Sequence, residues 1–406
     1  MQHEYDVVIV GGGMVGASLA CAIAPTNLSI ALIESIALKE DQQPSYDDRG
    51  ISLSPSSKRI LEYLDVWDDI YTNATPIKNI HVSNQGRFGF THLTASELNV
   101  PELGHVVIAK SLGHALHKKL SHFKNIKILC PIKLQNFERK NSKISLELLS
   151  SKGTKVIDTK LLIGADGSHS KVRSLANIEI NKNDYKQTAI VSNITTQKPN
   201  QNTAYERFTS HGPIALLPID KNRSVLVFTT HSNEANQYLS MPDNEYIKII
   251  EKEFGRRLGK ICKLEKRCEY PIFFIEAKTQ YQENIVLIGN SAHTVHPNAA
   301  QGFNLGLRDV AGLAECITNG LNRNLAIDDI DILKRYIDLR SADQKNVIDF
   351  CNSIANCFYN KSFILNSCAN AAMISFDCIP ELKSLLLKRA MGVAGYQPRL
   401  VRGLNL

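Results

Sequence analysis

Apolar residues fall into three patterns along this chain. Short continuous runs at Tyr5–Val10, Ser29–Ile33, Thr159–Gly164 and Ile285–Ile288 read as strands buried on both faces of a parallel sheet. Residues 75–100 and 184–275 carry shorter runs between turn residues, such as Pro213–Ile219 and Ser224–Phe228, and read as a second sheet layer inserted between pieces of the first. Helical spacing appears at Ala17–Ile23, from Pro55 to about Trp67 with Ser54 as N-cap, at Leu112–Phe123, at Val310–Ile317 and over the long amphipathic span Asp328–Asn356. An apolar segment from Phe363 to Ile379 is broken by Asn366, Ser367, Asn370, Ser375 and Asp377, so it is expected to pack on protein. Pro380 then opens a basic helix, Glu381–Met391, read either as a partner or membrane-surface contact or as a packed helix with a solvated face.

The junctions between strands and helices carry the chemistry. Gly11-x-Gly13-x-x-Gly16 follows the first strand at once and opens a small-residue helix, and the second strand ends in Glu34. Gly11 suits a tight turn, Gly13 lets backbone approach a pyrophosphate, Gly16 lets helix and strand pack, and Glu34 stands where a carboxylate accepts ribose hydroxyls. This spacing predicts a dinucleotide site and leaves NAD and FAD open. The stretch Gly289–Asp309 is a second strand, loop and helix start, a place suited to a negatively charged group. Asp166-Gly167, ahead of Ser170, Val172 and Arg173, ends another buried strand, where loops face the ligand crevice of a doubly wound sheet. Asp47-Asp48-Arg49 reads as a loop reaching the cofactor or as a solvated one, and Lys110, just ahead of a helix, as facing cofactor or solvent.

Composition narrows the classes. No run of about 18 apolar residues exists to span a bilayer. The polar start Met1–Asp6 is unlike a signal peptide, so a cytoplasmic protein is expected. The 9 cysteines show no CxxC pair and no zinc-like spacing, so they read as buried free thiols and no metal site is expected. The net charge of +7 reads either as attraction to an anionic lipid surface or nucleic acid or, since no basic run is long enough for a nucleic-acid patch, as a general solubility charge.

Taken together, Gly11-x-Gly13-x-x-Gly16 with Glu34, Asp47-x-Arg49, Asp166-Gly167 and Gly289–Asp309 resemble the single-component flavoprotein aromatic hydroxylases, in order over nearly the whole chain. Leu103-Gly104-His105-Val106-Val107, Gly289-Asn290, Gln301–Asp309 and the segment Leu382–Gly395 are similar to the ubiquinone-biosynthesis branch, nearest to its 2-polyprenyl-6-methoxyphenol hydroxylases. The resemblance implies an α/β fold: a discontinuous Rossmann-like FAD-binding domain (1–74, 101–183 and 276–325), an inserted mainly antiparallel β-sheet substrate domain (75–100 and 184–275), and a C-terminal helical region (326–406).

It further implies FAD with its pyrophosphate over Gly11, Gly13, Val15 and Gly16, its adenosine ribose on Glu34, and contacts from Arg49, Lys110 and Asp166. Gly289 and Asn290 would meet the ribityl chain. Pro297, Gln301, Gly302, Phe303 and Asn304 would line the flavin ring, with Pro297, Gln301 and Gly302 at the reaction centre. NAD(P)H would visit transiently, since no second glycine motif serves it. The implied reaction adds one atom of O2 to a polyprenylated phenol, with a ubiquinone-biosynthesis complex as partner and peripheral contact with the inner membrane. Action at another ring position or on another aromatic, and a non-catalytic flavoprotein scaffold, are the alternatives.

Three readings stay open on the residues. Ile272–Ile275 and Pro213–Leu217 read as a tail channel or as sheet core. His293 and His296 read as proton carriers or as loop packing. Ala300 stands where the family has glycine, and is strained if its φ is positive.

Overall fold

The computed structural model describes residues 3–37, 47–87, 89–140, 142–359, 391–392, 395 and 397–406. The segments expected at 363–379 and 381–390 lie outside the described residues. Its first sheet is built on His3–Val10, which pairs in parallel with Ile30–Ile33 on one side and Gly153–Gly164 on the other. Ile126–Leu129 and Ile285–Leu287 extend it at either flank, also in parallel. Val7, Ile9, Leu161 and Ile163 face the helices Met14–Ile23 and Gln301–Asn322, whereas Val8, Val10 and Leu162 pack into a second cluster on the opposite face. Burial on both faces is why these strands read as unbroken apolar runs.

A nine-stranded, mainly antiparallel sheet is centred on Ile180–Thr196, flanked by Arg223–His231 and Cys268–Ala277. It ends at the hairpin Asn79–Asn84 and Phe90–Thr94, with Phe90–Thr94 at the edge. Two strands depart from the expected division. Thr75–Ile77 pairs with Gly104–Ile108 at the margin of a small three-stranded sheet that also contains Gly50–Leu53. Pro76 has no N–H to donate and suits such an edge. His293–Thr294 pairs with Cys268–Ala277, so the 289–309 stretch lends the large sheet its other edge.

Three further expectations are corrected. The helix starting at Pro55 stops at Tyr63, Asp65 turns left-handed (φ 55°), and a separate short helix, Trp67–Tyr71, follows. The helix expected from Leu112 begins at Ala109, so Lys110 sits in its first turn and not ahead of it. Cys21, Cys316 and Cys351 are buried free thiols, but Cys130 and Cys268 are half-buried and Cys262 is exposed, on an outer strand that among the described residues pairs with Ile180–Thr196 alone.

The large sheet, the parallel sheet and the C-terminal helices meet at Asp309. Its Oδ2 accepts the Gly289 N–H at 3.2 Å and pairs with His293 Nε2 at 2.5 Å. Its Oδ1 accepts from Arg340 Nε at 3.1 Å and Gln344 Nε2 at 2.8 Å, both on helix Ile330–Tyr359. Asp343 answers Arg308 Nε at 2.8 Å and Arg340 Nη2 at 2.7 Å. Burial pushes the Asp309 carboxyl up, but His293, Arg340 and Gln344 outweigh it and hold the group well below the usual carboxylate range. A depressed carboxyl stabilises the fold above its unfolded value, about 3.9, and that contribution is lost as pH falls through the still lower folded value.

Removing one partner from a buried ion pair strands the other. Asp309→Ala is expected to lower stability by about 3 to 5 kcal/mol, read as the urea midpoint, whereas removing the exposed pair Lys186–Asp184 should change it by less than about 1 kcal/mol. Equal midpoints for the Asp309 variant and wild type would refute the clamp.

Candidate active site

Three loops converge at the carboxyl ends of the parallel strands. In the first, Gly11 has φ 108°, and a Cβ there would lie 2.3 Å from the Ala165 carbonyl oxygen. A Cβ on Gly16 would lie 1.9 Å from the Gly11 carbonyl oxygen, so neither position admits a side chain. Gly13 caps helix Met14–Ile23 with no side-chain bond to the helix end, and the first turn presents backbone N–H groups outward. Glu34 closes the second strand. Its Oε2 accepts the Gly12 N–H at 2.9 Å and its Oε1 the Ile36 N–H at 2.8 Å, which fixes the carboxylate and leaves lone pairs for a diol.

The second loop carries Asp166. Its Oδ2 accepts the N–H groups of Lys171 (2.7 Å) and Val172 (3.1 Å), while Oδ1 is buried with no hydrogen-bond partner among the described residues. Burial pushes this carboxyl up, against the hydrogen bonds that pull it down. Arg173 joins this loop to the third, donating to the Ser291 carbonyl and the Ser168 carbonyl, each at 2.7 Å. In the third loop Gly289 (φ 58°) packs its Cα side against Val15, and Val15 also fills the space beside Gly306. Val15 therefore locks helix Met14–Ile23 to helix Gln301–Asn322.

That second helix begins with a strained residue. Ala300 has φ 50° and ψ 40°, left-handed backbone that costs an alanine roughly 1 to 2 kcal/mol. Asn304 holds it there. Its Nδ2 donates to the Ala300 carbonyl (2.8 Å) and the Ser52 carbonyl (2.9 Å), and its Oδ1 accepts from the Ser54 N–H (2.8 Å) and the Ser57 hydroxyl (2.7 Å). The Asn304 amide is thus engaged by protein, although the residue still lines the cavity. No side chain caps this helix, so the first-turn N–H groups of Gly302 and Phe303 face outward.

One cavity of about 1000 Å³ joins these parts. Gly13, Val15, Arg49 and Asn290 border it at the nucleotide end, and Pro297, Gln301, Gly302, Phe303 and Asn304 form its middle wall. Lys110, Glu34 and Asp166 lie outside its lining; the Lys110 N–H donates to the Asp47 carbonyl at 3.1 Å. The far half is apolar and runs across the large sheet to its edge strand. Strand alternation decides which residues reach it: Ala215 and Leu217 face the cavity, whereas Ile214 and Leu216 pack with Tyr246 and Ile250. Ile272 and Phe273 also line it, so both expected apolar runs serve partly as cavity wall and partly as core.

His293 and His296 lie outside the lining. His293 belongs to the Asp309 clamp. His296 is fully buried, accepts the Asn298 N–H at 3.3 Å through Nδ1 and meets Gln187 Oε1 at 3.3 Å through Nε2. Burial pulls its imidazole down to about 4, so it stays neutral and packs edge-on to Tyr185. Tyr270 was missed by reading the sequence. It lines the cavity, donates its hydroxyl to Asp47 Oδ2 at 2.6 Å, and carries the Arg49 guanidinium 4.9 Å from its ring centre. Burial, then the bond to Asp47, pushes its phenol well up. The signal was available in its two-residue spacing from Ile272.

These residues fit FAD. Loops that admit no Cβ at Gly11 and Gly16, a fixed carboxylate at Glu34 and the unpartnered buried Oδ1 of Asp166 stand behind the nucleotide end, and two uncapped helix starts, at Met14 and Gln301, face the cavity itself. Among the described residues no cluster suited to a metal occurs.

The chain matches the FAD binding domain family over residues 4–350. It is 30% identical over 404 residues to ubiquinone hydroxylase UbiL of Rhodospirillum rubrum, covering 99% of this chain and 93% of that protein. It is 30% identical over 392 residues to 3-demethoxyubiquinol 3-hydroxylase of Escherichia coli, covering 96% and 98%. Among solved structures, p-nitrophenol 4-monooxygenase PnpA of Pseudomonas putida shares the fold, with a TM-score of 0.81 at 15% identity over 98% of this chain and 100% of that one.

Gly302 separates ligand contact from folding. A Cβ there meets nothing nearer than Val295 at 3.9 Å, so its missing side chain leaves room that the protein does not fill. Gly302→Leu is expected to keep or raise the melting temperature of the flavin-free protein, since leucine is the better helix former by up to about 1 kcal/mol, while the flavin absorbance of the purified protein, and the stabilisation that bound flavin adds, are lost. Full flavin content in this variant would contradict the placement of the ring.

Proposed function

The chain belongs to the FAD-dependent monooxygenases of ubiquinone biosynthesis, and on that premise we propose that it uses NAD(P)H and O2 to hydroxylate a polyprenylated phenol, 2-polyprenyl-6-methoxyphenol. The observation that carries the substrate class is the cavity itself, whose polar end holds the cofactor-facing loops and whose other half is an apolar channel. Hydroxylation at another ring position is the second reading, favoured by the similarity to 3-demethoxyubiquinol 3-hydroxylase. The same reading makes the enzyme cytoplasmic and peripheral to the inner membrane, within a ubiquinone-biosynthesis complex.

When bound, FAD supplies the redox chemistry, accepting reducing equivalents from NAD(P)H and activating O2, one atom of which enters the ring while the other leaves as water. The chain's own groups position and polarise. The pyrophosphate is assigned to Gly11, Gly13, Val15 and Gly16, the adenosine ribose to Glu34, and further contacts to Arg49, Lys110, Asp166, Gly289 and Asn290. Pro297, Gln301 and Gly302 form the wall at the reacting ring. The N–H groups of Gly302 and Phe303 place a positive helix end there, a contribution of roughly 0.3 to 1 kcal/mol toward an anionic ring and up to about 2 when partly buried. Apolar walls exclude water from the site.

Tyr270 handles the proton of the substrate. Its hydroxyl hydrogen is committed to Asp47, so the lone pairs of its oxygen accept the substrate O–H. As that proton arrives on Tyr270 Oη, the tyrosine's own proton moves to Asp47, whose carboxylate is about one-third exposed and releases it to water. The ring that remains has phenolate character and is the stronger nucleophile.

Two outcomes are expected in assays of substrate-stimulated NAD(P)H oxidation. Adding a prenyl tail should lower KM at least tenfold, since each buried CH2 contributes roughly 0.8 kcal/mol, and an equal KM for the tail-less phenol would refute the channel. Tyr270→Phe should lower kcat by roughly a hundredfold near neutral pH, with the deficit shrinking as pH approaches the phenol's own pKa of about 10. A deficit constant with pH would remove Tyr270 from proton transfer. Deletion of the gene, with mass spectrometry of the quinone precursor that accumulates, tests the pathway assignment and separates the two ring positions; an unchanged quinone pool would contradict both.

A further inference from the structure

The outer strands of the large sheet have a second, unused face. On Asn79–Asn84, Ile80 and Val82 turn to the apolar cavity, whereas His81 and Ser83 turn to the other side. There a pocket of about 220 Å³ opens, several times the roughly 30 Å³ a water molecule occupies. Arg207, Arg256 and Arg257 line it, with Glu206 the one carboxylate in its lining among the described residues; Glu251 and Glu253 belong to the last turn of helix Asp243–Phe254 that leads to it, and Glu251 Oε1 accepts the Ile261 N–H at 2.8 Å. Arg207 is fixed on the strand by donating to the Glu253 carbonyl at 3.0 Å, and Arg257 lies over the Tyr205 ring, 5.9 Å from its centre. Arg256 touches Glu251 only at 3.9 Å and its side chain is 74% exposed.

Beside this pocket stands Phe90, at the hairpin that begins the edge strand. It is 52% exposed and stacks on His81 at 5.5 Å, so a large apolar ring projects next to the three arginines. Among the described residues it is the one exposed large apolar side chain in ring contact with that pocket's lining. Cations after a helix C-terminus are favoured by the helix dipole, which accounts for Arg256 and Arg257. It accounts neither for Arg207, which is carried by a strand, nor for Phe90.

We propose that this face docks on an anionic phospholipid bilayer, the arginines taking lipid phosphates and Phe90 entering the acyl boundary. Planar guanidinium groups match phosphate oxygens in pairs, and a basic cluster with an adjoining aromatic ring suits an anionic lipid interface. The inference rests on the tailed-phenol reading: such a substrate is dissolved in the bilayer, and the apolar cavity reaches the same edge strand through Thr91 and Leu93. Docking on the reverse face of that edge brings the channel to the lipid that holds its substrate.

The test is cosedimentation of the full-length, FAD-loaded protein with vesicles of phosphatidylcholine alone or mixed with phosphatidylglycerol. Wild type should bind the mixed vesicles and release as salt rises from about 0.1 to about 1 M, where the screening length falls from about 10 to about 3 Å. R256E/R257E should weaken that binding by roughly tenfold or more, and Phe90→Ser should weaken it further. All variants should keep wild-type NAD(P)H oxidation with a short-chain, water-soluble phenol, because none of these residues lines the large cavity. Equal binding to both vesicle types, undiminished binding by R256E/R257E, or release of wild type by free inorganic phosphate alone would overturn the proposal. If vesicles bind as expected but no phenol stimulates oxidation, the docking face stands and the substrate reading falls.

Discussion

A single buried carboxylate decides how the parts of this molecule sit together. Asp309 faces Gly289 and His293 in the loop before its helix and Arg340 and Gln344 on the helix that follows, and it is wholly out of water. Desolvating such a group is costly, and the cost is offset only if every lone pair finds a donor in good geometry. Meeting that condition fixes the turn at Gly289, seats the edge strand His293–Thr294 on the large sheet and aligns the start of helix Gln301–Asn322. The wall of the active site is therefore held from behind by a charge network that does not itself face the cavity.

The front of the wall is shaped by strain and its restraint. Ala300 is left-handed at the helix start, and the Asn304 amide bonds its carbonyl while also gripping Ser52 of the small sheet and Ser54 and Ser57 at the start of helix Pro55–Tyr63. The helix thus opens with uncapped N–H groups directed at the cavity, where a side-chain cap would have consumed one of them. The large sheet then divides its work by strand alternation. One face lines the apolar channel with Val82, Leu217 and Ile272, and the reverse face packs a helix and gathers the arginines around Tyr205.

Much of this was legible in the chain. The parallel strands, the glycine turn at Gly11–Gly16 and the loop from Gly289 follow local rules of burial and backbone freedom, which need no knowledge of distant partners. The left-handed Ala300 was foreseeable because the flavoprotein resemblance marked a glycine position. What stayed hidden depends on pairing across the fold. Asp47 and Tyr270 are separated by more than two hundred positions and meet only when the large sheet closes over the first domain. His296 read either as a proton carrier or as loop packing, and burial against Tyr185, which keeps it neutral, decides for packing. Thr75–Ile77 changed sheets because its register is set by Gly104–Ile108, which no local pattern announces.

The assignment as a monooxygenase acting on a tailed phenol is tested most directly by isotope. Turnover of a prenylated methoxyphenol by the flavin-loaded protein with NAD(P)H under 18O2 should give a product whose new ring hydroxyl carries one labelled atom. A product labelled from water, or oxidation of NAD(P)H that yields only hydrogen peroxide with every prenylphenol tried, would contradict it.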